Sequence, residues 1–317
     1  MIGDLIEVVK SYHPAAEVEM VRRAYDFSAE VHRGQKRMSG EPYLVHPVAV
    51  AEIIADLKLD VPSIVGGLLH DTVEDTLTTL DQIQEDFGKD VAALVDGVTK
   101  LSRVNFTSRE EKQSENFRKM VLAMVKDVRV ILIKLADRTH NMRTLGHLSN
   151  EQQFAIAQET LDIYAPLADR LGIAWIKCEL EDLSLKYLRP EIYYQLKRAV
   201  ARKKGDREKH INEVISLITK KLEEEGLDAE VTGRPKHFNS IYEKMEARNL
   251  PYDEIHDLVA FRIVVDTVRE CYETLGVIHA NCKPVPGRFK DYIALPKPNM
   301  YQSLHSTLIG PFGERVE

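Results

Sequence analysis

Cysteine is scarce. Cys178, Cys271 and Cys282 are the only three in 317 residues, widely spaced and without a CxxC pair. That pattern argues against a disulfide frame or a zinc knuckle and fits reduced thiols in a cytosol. A basic surplus is also missing: 43 Lys and Arg against 50 Asp and Glu leave a formal net charge of −7. General nucleic-acid binders carry the opposite balance, because they release counterions from phosphates. Small anionic ligands remain open, since a local basic pocket can sit on an acidic protein. No apolar run approaches the roughly 18 to 20 residues needed to span a bilayer. The opening MIGDLIEVVKSY has acidic residues where a signal peptide needs a basic start and an apolar block. The expected location is cytoplasmic, with no membrane partner. Low-complexity tracts and internal repeats are absent as well. What is present is 44% apolar and 29% charged residues, the balance of a soluble globular chain long enough for two ordinary domains.

Apolar residues at spacings of three and four mark Ala49 to Leu57, Gln113 to Val125, Glu151 to Ala165 and Leu180 to Leu188 as helical. Convincing alternating strands are absent from this part, so a helical first domain is expected. The texture changes near Arg189-Pro190. Lys197 to His210 holds seven Lys and Arg against two Asp and Glu, a solvated helix face or a segment coupling two domains. Ile211 to Leu222 reads as one more amphipathic helix. Beyond Gly226 the pattern is mixed, with β-rich Asp228 to Thr232 and Val259 to Val265 around a helix at Asn239 to Arg248. The boundary is placed at residue 195, giving domains 1–195 and 196–317.

One stretch, LLHDTVEDT at 68 to 76, sets a histidine and three carboxylates at the end of an apolar run. Read as a helix from Leu68 to Thr76, it puts His70, Asp71, Glu74 and Asp75 within about 140° of one face. Like charges at that spacing repel, and a divalent cation is a compact way to offset the repulsion. A solvated acidic helix end is the alternative. His46, in EPYLVHPVAVAEII, opens a helix after a turn, and Asp137, in VRVILIKLADRTHNMRTL, follows the most apolar segment. Each has a plain structural reading, His46 as a satisfied core residue and Asp137 as a partner of Arg138. Together they spell H…HD…D, the signature of the HD phosphohydrolase superfamily, an all-helical metal-dependent fold that this sequence resembles. Two imidazoles and two carboxylates suit several borderline metals, and ligand type alone does not choose among manganese, iron and zinc.

The flanking residues narrow the resemblance. HRGQKRMSGEPYLVHP (32 to 47), GLLHDTVEDT (67 to 76) and KLADRTHNMRTL (134 to 145) are similar to the hydrolase motifs of the RelA/SpoT family, enzymes that degrade and make the stringent-response alarmones ppGpp and pppGpp. The resemblance implies Mn²⁺ held by His46, His70, Asp71 and Asp137. It implies catalysis by Glu74 and Asp75, which would orient the attacking water and shuttle its proton, and a nucleotide pocket lined by Arg37, Ser39, Asn141 and Thr144. Met38 departs from the basic residue common at its position.

The later third carries a second constellation. TGRPKHFNSIYEKM (232 to 245) sets Arg234, Lys236, Ser240 and Lys244 along a turn and helix, where cations and amides can hold a polyphosphate. Asp257 stands just ahead of an alternating strand, a usual place for a magnesium ligand. VPGRFKDYIALPKPNMYQSLHSTLIG (285 to 310) adds Arg288, Lys290, Lys297, Asn299, Tyr301 and His305. Without a family, these basic residues read as solvated surface and Tyr301 as core.

The set resembles the family's synthetase, an α+β nucleotidyltransferase-like domain moving pyrophosphate from ATP to GDP or GTP. The resemblance implies ATP phosphates on the Arg234 group, Mg²⁺ on Asp257 and Glu317, guanine stacked on Tyr301, and Lys297, Asn299 and His305 around the acceptor. RFKD at 288 to 291 matches the basic motif of bifunctional members. Glu317, matching the family's catalytic glutamate, is the last residue, so it is expected to be a poorly placed edge acid, with hydrolysis strong and synthesis weak or absent. Ribosome or tRNA contacts are expected to need the regulatory region that follows in long family members. Two other functions stay open: an HD-type nucleotidase for another nucleotide, and a catalytically silent nucleotide sensor.

Overall fold

The protein is described here as a computed structural model covering residues 2–102, 126–202, 204–249, 259–310 and 315–317. The expected helix at Gln113 to Val125 lies outside the described residues, as do Asp257 and the side chains of Arg234 and of residues 202–210 in the basic run. The chain divides into two compact units, Met1–Ala168 and Asp169–Glu317. This division falls ahead of the expected boundary at residue 195. The physical reason lies in packing: the helices Ala174–Leu188 and Pro190–Arg202 close over the helix Phe238–Arg248 through Leu185, Leu196 and Ile241.

The regular elements described in the first unit are helices, with one isolated bridge between Lys36 and Pro42 in the loop before the third of them. Its helices are α1 (Ile2–Tyr12), α2 (Val18–Val31), α3 (Val45–Asp56), α4 (Val61–Leu69), α5 (Thr72–Asp75), α6 (Leu80–Phe87), α7 (Lys89–Ser102), α8 (Val128–Arg143) and α9 (Asn150–Glu159), followed by a π turn at Thr160–Tyr164 and α10 (Ala165–Arg170). The centre is α4, apolar on all sides because it is buried among α2, α3, α7 and α8. Asp60 starts it by accepting from the Ser63 N–H at 3.1 Å, with Pro62 in the first turn. Two glycines let its neighbours approach. A Cβ at Gly67 would collide with the Ile54 side chain of α3, and one at Gly66 would stand 3.1 Å from Ile133 Cδ1 of α8. Close packing on these two sides puts the residues of α3 and α8 around the C-terminal end of α4.

That end departs from the sequence expectation. Leu68 to Thr76 is not one helix: α4 stops at Leu69, His70 and Asp71 form a turn, and α5 begins at Thr72. Side chains stabilise the break. Thr72 Oγ1 donates to the Leu69 carbonyl at 2.7 Å, and His70 Nδ1 lies 2.8 Å from the Gly67 carbonyl, so the last carbonyls of α4 are satisfied without continuing the helix. The helix expected from Glu151 to Ala165 is likewise interrupted, by the π turn, where Thr160 Oγ1 donates to the Ile156 carbonyl at 2.7 Å.

The second unit mixes helices and strands. It holds α11 (Ala174–Leu188), α12 (Pro190–Arg202), α13 (Lys204–Glu224), β1 (Glu230–Pro235), α14 (Phe238–Arg248), β2 (Val259–Val264), α15 (Val268–Asn281), β3 (Lys283–Asp291), β4 (Leu304–Ile309) and β5 (Arg315–Val316). β1 pairs antiparallel with β2, Thr232 opposite Arg262. β3, β4 and β5 form an antiparallel sheet, Lys290 opposite His305. A core of Ile278, Leu308 and Val316, with Ile218, Phe261 and Ile263 packed on it, ties α13, α15 and both sheets together. The sequence reading missed α15 and the three-stranded sheet. Its strands are short, mostly half-exposed and broken by prolines and a register shift between Pro284 and Phe289, which erases the period-two signal.

Candidate functional site

In the first unit, three buried groups converge from three helices or their ends: His46 from the first turn of α3, His70 from the end of α4 and Asp137 from the middle of α8. Their candidate ligand atoms lie within 4.8 Å of one another. His46 Nε2 is 3.3 Å, and His70 Nε2 3.9 Å, from Asp137 Oδ1. Asp71 adjoins them, its Oδ2 3.9 Å from His70 Nε2. The second nitrogen of each imidazole is committed elsewhere. His70 Nδ1 must donate to the Gly67 carbonyl at 2.8 Å, so Nε2 is the ring atom that faces the cluster. His46 Nδ1 meets His140 Nδ1 at 2.8 Å. Burial first, then the nearby His46 and Arg37, push His140 down to about 3, so it is neutral and able to accept.

The carboxylates are held ionised. Burial opposes ionisation of Asp71, yet the His70, His32 and His46 imidazoles keep its carboxyl well below the usual range. Burial likewise opposes Asp137, and Lys134 with the two histidines overcomes it. Lys134 Nζ donates to Asp137 Oδ2 at 2.6 Å. The alternative partner considered from sequence, Arg138, turns away. It pairs with Glu159 at 2.9 Å and lies over the Tyr164 ring at 4.1 Å, facing the π turn. Both Asp71 oxygens are buried without a hydrogen bond. Two imidazole Nε2 atoms facing two ionised carboxylates, with both Asp71 oxygens outside any hydrogen bond, fit a divalent cation and are a poor fit to a closed hydrogen-bond network.

Glu74 and Asp75 sit on α5, exposed, one turn beyond Asp71. Tyr43 Oη donates to Asp75 Oδ2 at 2.5 Å. Burial first, then Asp71 and Asp75, pushes the Tyr43 phenol far above its ordinary value, so it stays a donor. Of the four residues expected at a nucleotide, Arg37, Asn141 and Thr144 come together, with Arg37 Nη2 donating to Asn141 Oδ1 at 2.9 Å and to Thr144 Oγ1 at 3.4 Å. Asn141 Nδ2 in turn donates to Asp137 Oδ1 at 2.5 Å, joining this group to the cluster. Ser39 bonds instead to Glu41 at 3.0 Å in the same loop. Sequence reasoning missed Lys134, His140, Tyr43 and His32. Lys134 carried a signal in its spacing of three from Asp137 on one helix; the others had none beyond lying inside the quoted motifs.

In the second unit, Lys236 Nζ pairs with Glu317 Oε2 at 2.8 Å and His305 Nδ1 stands 3.4 Å from Glu317 Oε1. Tyr301 Oη meets His305 Nε2 at 2.9 Å, and Lys297 lies over the Tyr301 and Tyr292 rings at 5.2 and 5.0 Å. Asn299 accepts from the Tyr301 N–H at 3.1 Å. Glu317 is thus held, contrary to the expectation of a frayed acid: its carbonyl accepts from the Phe261 N–H at 2.8 Å, and its side chain is kept ionised by His305 first and then Lys236. Ser240 and Lys244 lie one turn apart on α14, half-buried, while Arg288 and Lys290 are exposed along β3.

A helical unit with this His and Asp cluster defines an HD domain, and residues 24–174 match the family model described as HD domain. Residues 233–317 match a second model, the region found in RelA / SpoT proteins. The chain belongs to the RelA/SpoT family. It is 60% identical to a GTP pyrophosphokinase of Myxococcus xanthus over 98% of this chain and 41% of that relative. It is 53% identical to a probable guanosine-3′,5′-bis(diphosphate) 3′-pyrophosphohydrolase of Synechocystis sp., over 92% of this chain and 38% of the relative. To the bifunctional (p)ppGpp synthase/hydrolase SpoT of Escherichia coli it is 50% identical over 100% of this chain and 45% of the relative. The chain therefore spans about two fifths of the length of the curated relatives it matches. Among the described residues no helix is long and apolar enough to cross a membrane.

Proposed function

We propose that the first unit is a Mn²⁺-dependent guanosine-3′,5′-bis(diphosphate) 3′-pyrophosphohydrolase, releasing pyrophosphate and GDP or GTP from ppGpp or pppGpp. The observation that carries this reading is the convergence of His46, His70 and Asp137 beside Asp71, whose two buried oxygens make no hydrogen bond. A divalent cation on these four residues supplies a water of lowered pKa and polarises a phosphoryl oxygen. Glu74 and Asp75 take the proton of the attacking water and return it to the ribose 3′ oxygen as its bond to phosphorus breaks. Tyr43 holds Asp75 for that exchange. Arg37, tied to Asn141 and Thr144, offers a planar fork of donors to the nucleotide phosphates.

The second unit, in the same reading, moves pyrophosphate from ATP to GDP or GTP. Arg234, Lys236, Ser240 and Lys244 bind the ATP phosphates. Asp257 and Glu317 hold Mg²⁺, and Tyr301 stacks on guanine beside Lys297, Asn299 and His305. Arg288 and Lys290 form the basic edge of β3. The joined Lys236, Glu317, His305 and Tyr301 contacts support this grouping.

The test is pyrophosphate release from ppGpp with Mn²⁺, with and without chelator, beside Asp71→Ala and Glu74→Ala. Release that stops with chelator and falls in both variants is expected. Hydrolysis of other nucleotides without preference for a 3′-diphosphate would replace the substrate, and activity surviving chelation would remove the metal mechanism.

A further inference from the structure

The start of α14 is not capped from within. His237 stands at its N-cap position with a side chain that does not cap the helix, and the Asn239 side-chain amide is turned to Glu243 Oε1 at 3.1 Å. The cap comes from α11: Asp182 Oδ1 accepts from the Asn239 N–H at 2.7 Å. Leu185, three residues further along the same face of α11, packs with Ile241 of α14 in one core. These two contacts fix where α14 begins and how it is turned about its axis. Both matter to the site, because Lys236, Ser240 and Lys244 recur every fourth residue from the turn into α14 and so share one side of it. Lys236 Nζ also reaches Glu317 Oε2 at 2.8 Å. α11 contributes none of the residues already assigned to the site.

We propose that Asp182 is a positioning residue for the phosphate donor of the second unit: it caps α14 from outside and so aims Lys236, Ser240 and Lys244 at the ATP phosphates. This inference rests on the reading that those three residues bind ATP. A cap normally comes from the residue that opens the helix. Supplied by α11, it makes the seat of the donor depend on a helix outside the site. The Asn239 N–H is also taken by Asp182, so it does not serve a phosphate, and the polyphosphate rests on side chains rather than on the amide at that position.

The experiment titrates the chain with α,β-methylene-ATP and Mg²⁺ by isothermal titration calorimetry. The reacting bridge of this donor is not cleaved, so binding is read without turnover. Asp182→Ala removes the cap, whereas Asp182→Asn keeps an oxygen in place for the Asn239 N–H. The expected result is affinity for the analogue lowered about tenfold in Asp182→Ala and within about threefold of wild type in Asp182→Asn, with both variants folded by circular dichroism. A folded Asp182→Ala chain that binds as tightly as wild type, or more tightly, overturns the positioning role. So does an Asp182→Asn chain as weak as Asp182→Ala. Absence of binding by the wild-type chain overturns the ATP reading and the inference with it. If Asp182→Ala does not fold, hydrogen exchange at the Asn239 amide of the wild-type chain carries the test. Slow exchange before the analogue is added, unaltered by it, is expected, and an amide protected only when the analogue is bound counts against the role.

Discussion

Asp75 owes its orientation to a single phenol. With Tyr43 Oη at 2.5 Å and the phenol held protonated by burial, Tyr43→Phe removes one charge-assisted hydrogen bond from Asp75, the acid proposed to handle the proton. The expected outcome is kcat for ppGpp hydrolysis lowered about tenfold, near 1.4 kcal/mol, with KM little changed. Steady-state kinetics at saturating Mn²⁺ read it, and an unchanged kcat counts against the role. Lys134 is the other decisive residue. It is the cation that keeps Asp137 ionised in the interior, so Lys134→Met leaves a buried charge without its partner. Loss of about 3 kcal/mol from the metal-free first unit is expected in denaturant titration, partly recovered on adding Mn²⁺. The HD signature named Asp137 readily; the plain structural alternative named the wrong neighbour, since Arg138 follows Asp137 in sequence and pairs with Glu159, whereas Lys134, one turn back, shares its face.

Among the elements, α4 decides whether the cluster exists. Gly67 lies against Ile54, which is itself fully buried and has little room to yield. Gly67→Ala therefore pries α3 from α4, and with it His46 from His70. A destabilisation of about 1 to 3 kcal/mol is expected by thermal melting, accompanied by weaker Mn²⁺ binding.

On α11, burial first, then repulsion from Glu243, Asp169 and Asp182 against the pull of Lys177, pushes Glu181 up to about 7. A carboxyl raised above its unfolded value favours folding where it is protonated, so stability of the second unit falls as pH rises from about 4.5 to about 7 and levels off above. Glu181→Gln is expected to raise the melting temperature at pH 8 and to leave it nearly unchanged at pH 5. A pH-independent difference between variant and wild type would contradict this. Helices were readable where one face is apolar, as in α3 and α14. The break between α4 and α5 was not, because nothing in LLHDTVEDT itself forbids a continuous helix; Thr72 and His70 capture the last carbonyls only when the end of α4 is already buried.

At the scale of the molecule, a bound cation stabilises the unit that holds it. A cation at 100 times its Kd stabilises its own unit by about 2.7 kcal/mol, or roughly 5 to 10 °C for a unit of this size. Mn²⁺ is expected to raise the melting transition of the first unit by that amount in wild type and to have little effect in Asp71→Asn, as read by scanning calorimetry. A shift of equal size in the variant would place the ion elsewhere.

Residue types and their order were enough to nominate candidate residues: H…HD…D, the Glu74 and Asp75 pair, and the basic and aromatic set from Arg234 to His305 are local patterns, and their proposed roles come from the resemblance to the RelA/SpoT family. Packing settled the rest. His32 behind Asp71, Lys134 in place of Arg138, His140 beside His46 and Glu317 held by Lys236 and His305 all depend on distances between elements, which spacing along the chain does not encode. These contacts exist because glycine-lined α4 and the paired strands bring separate segments within a few ångströms of each other.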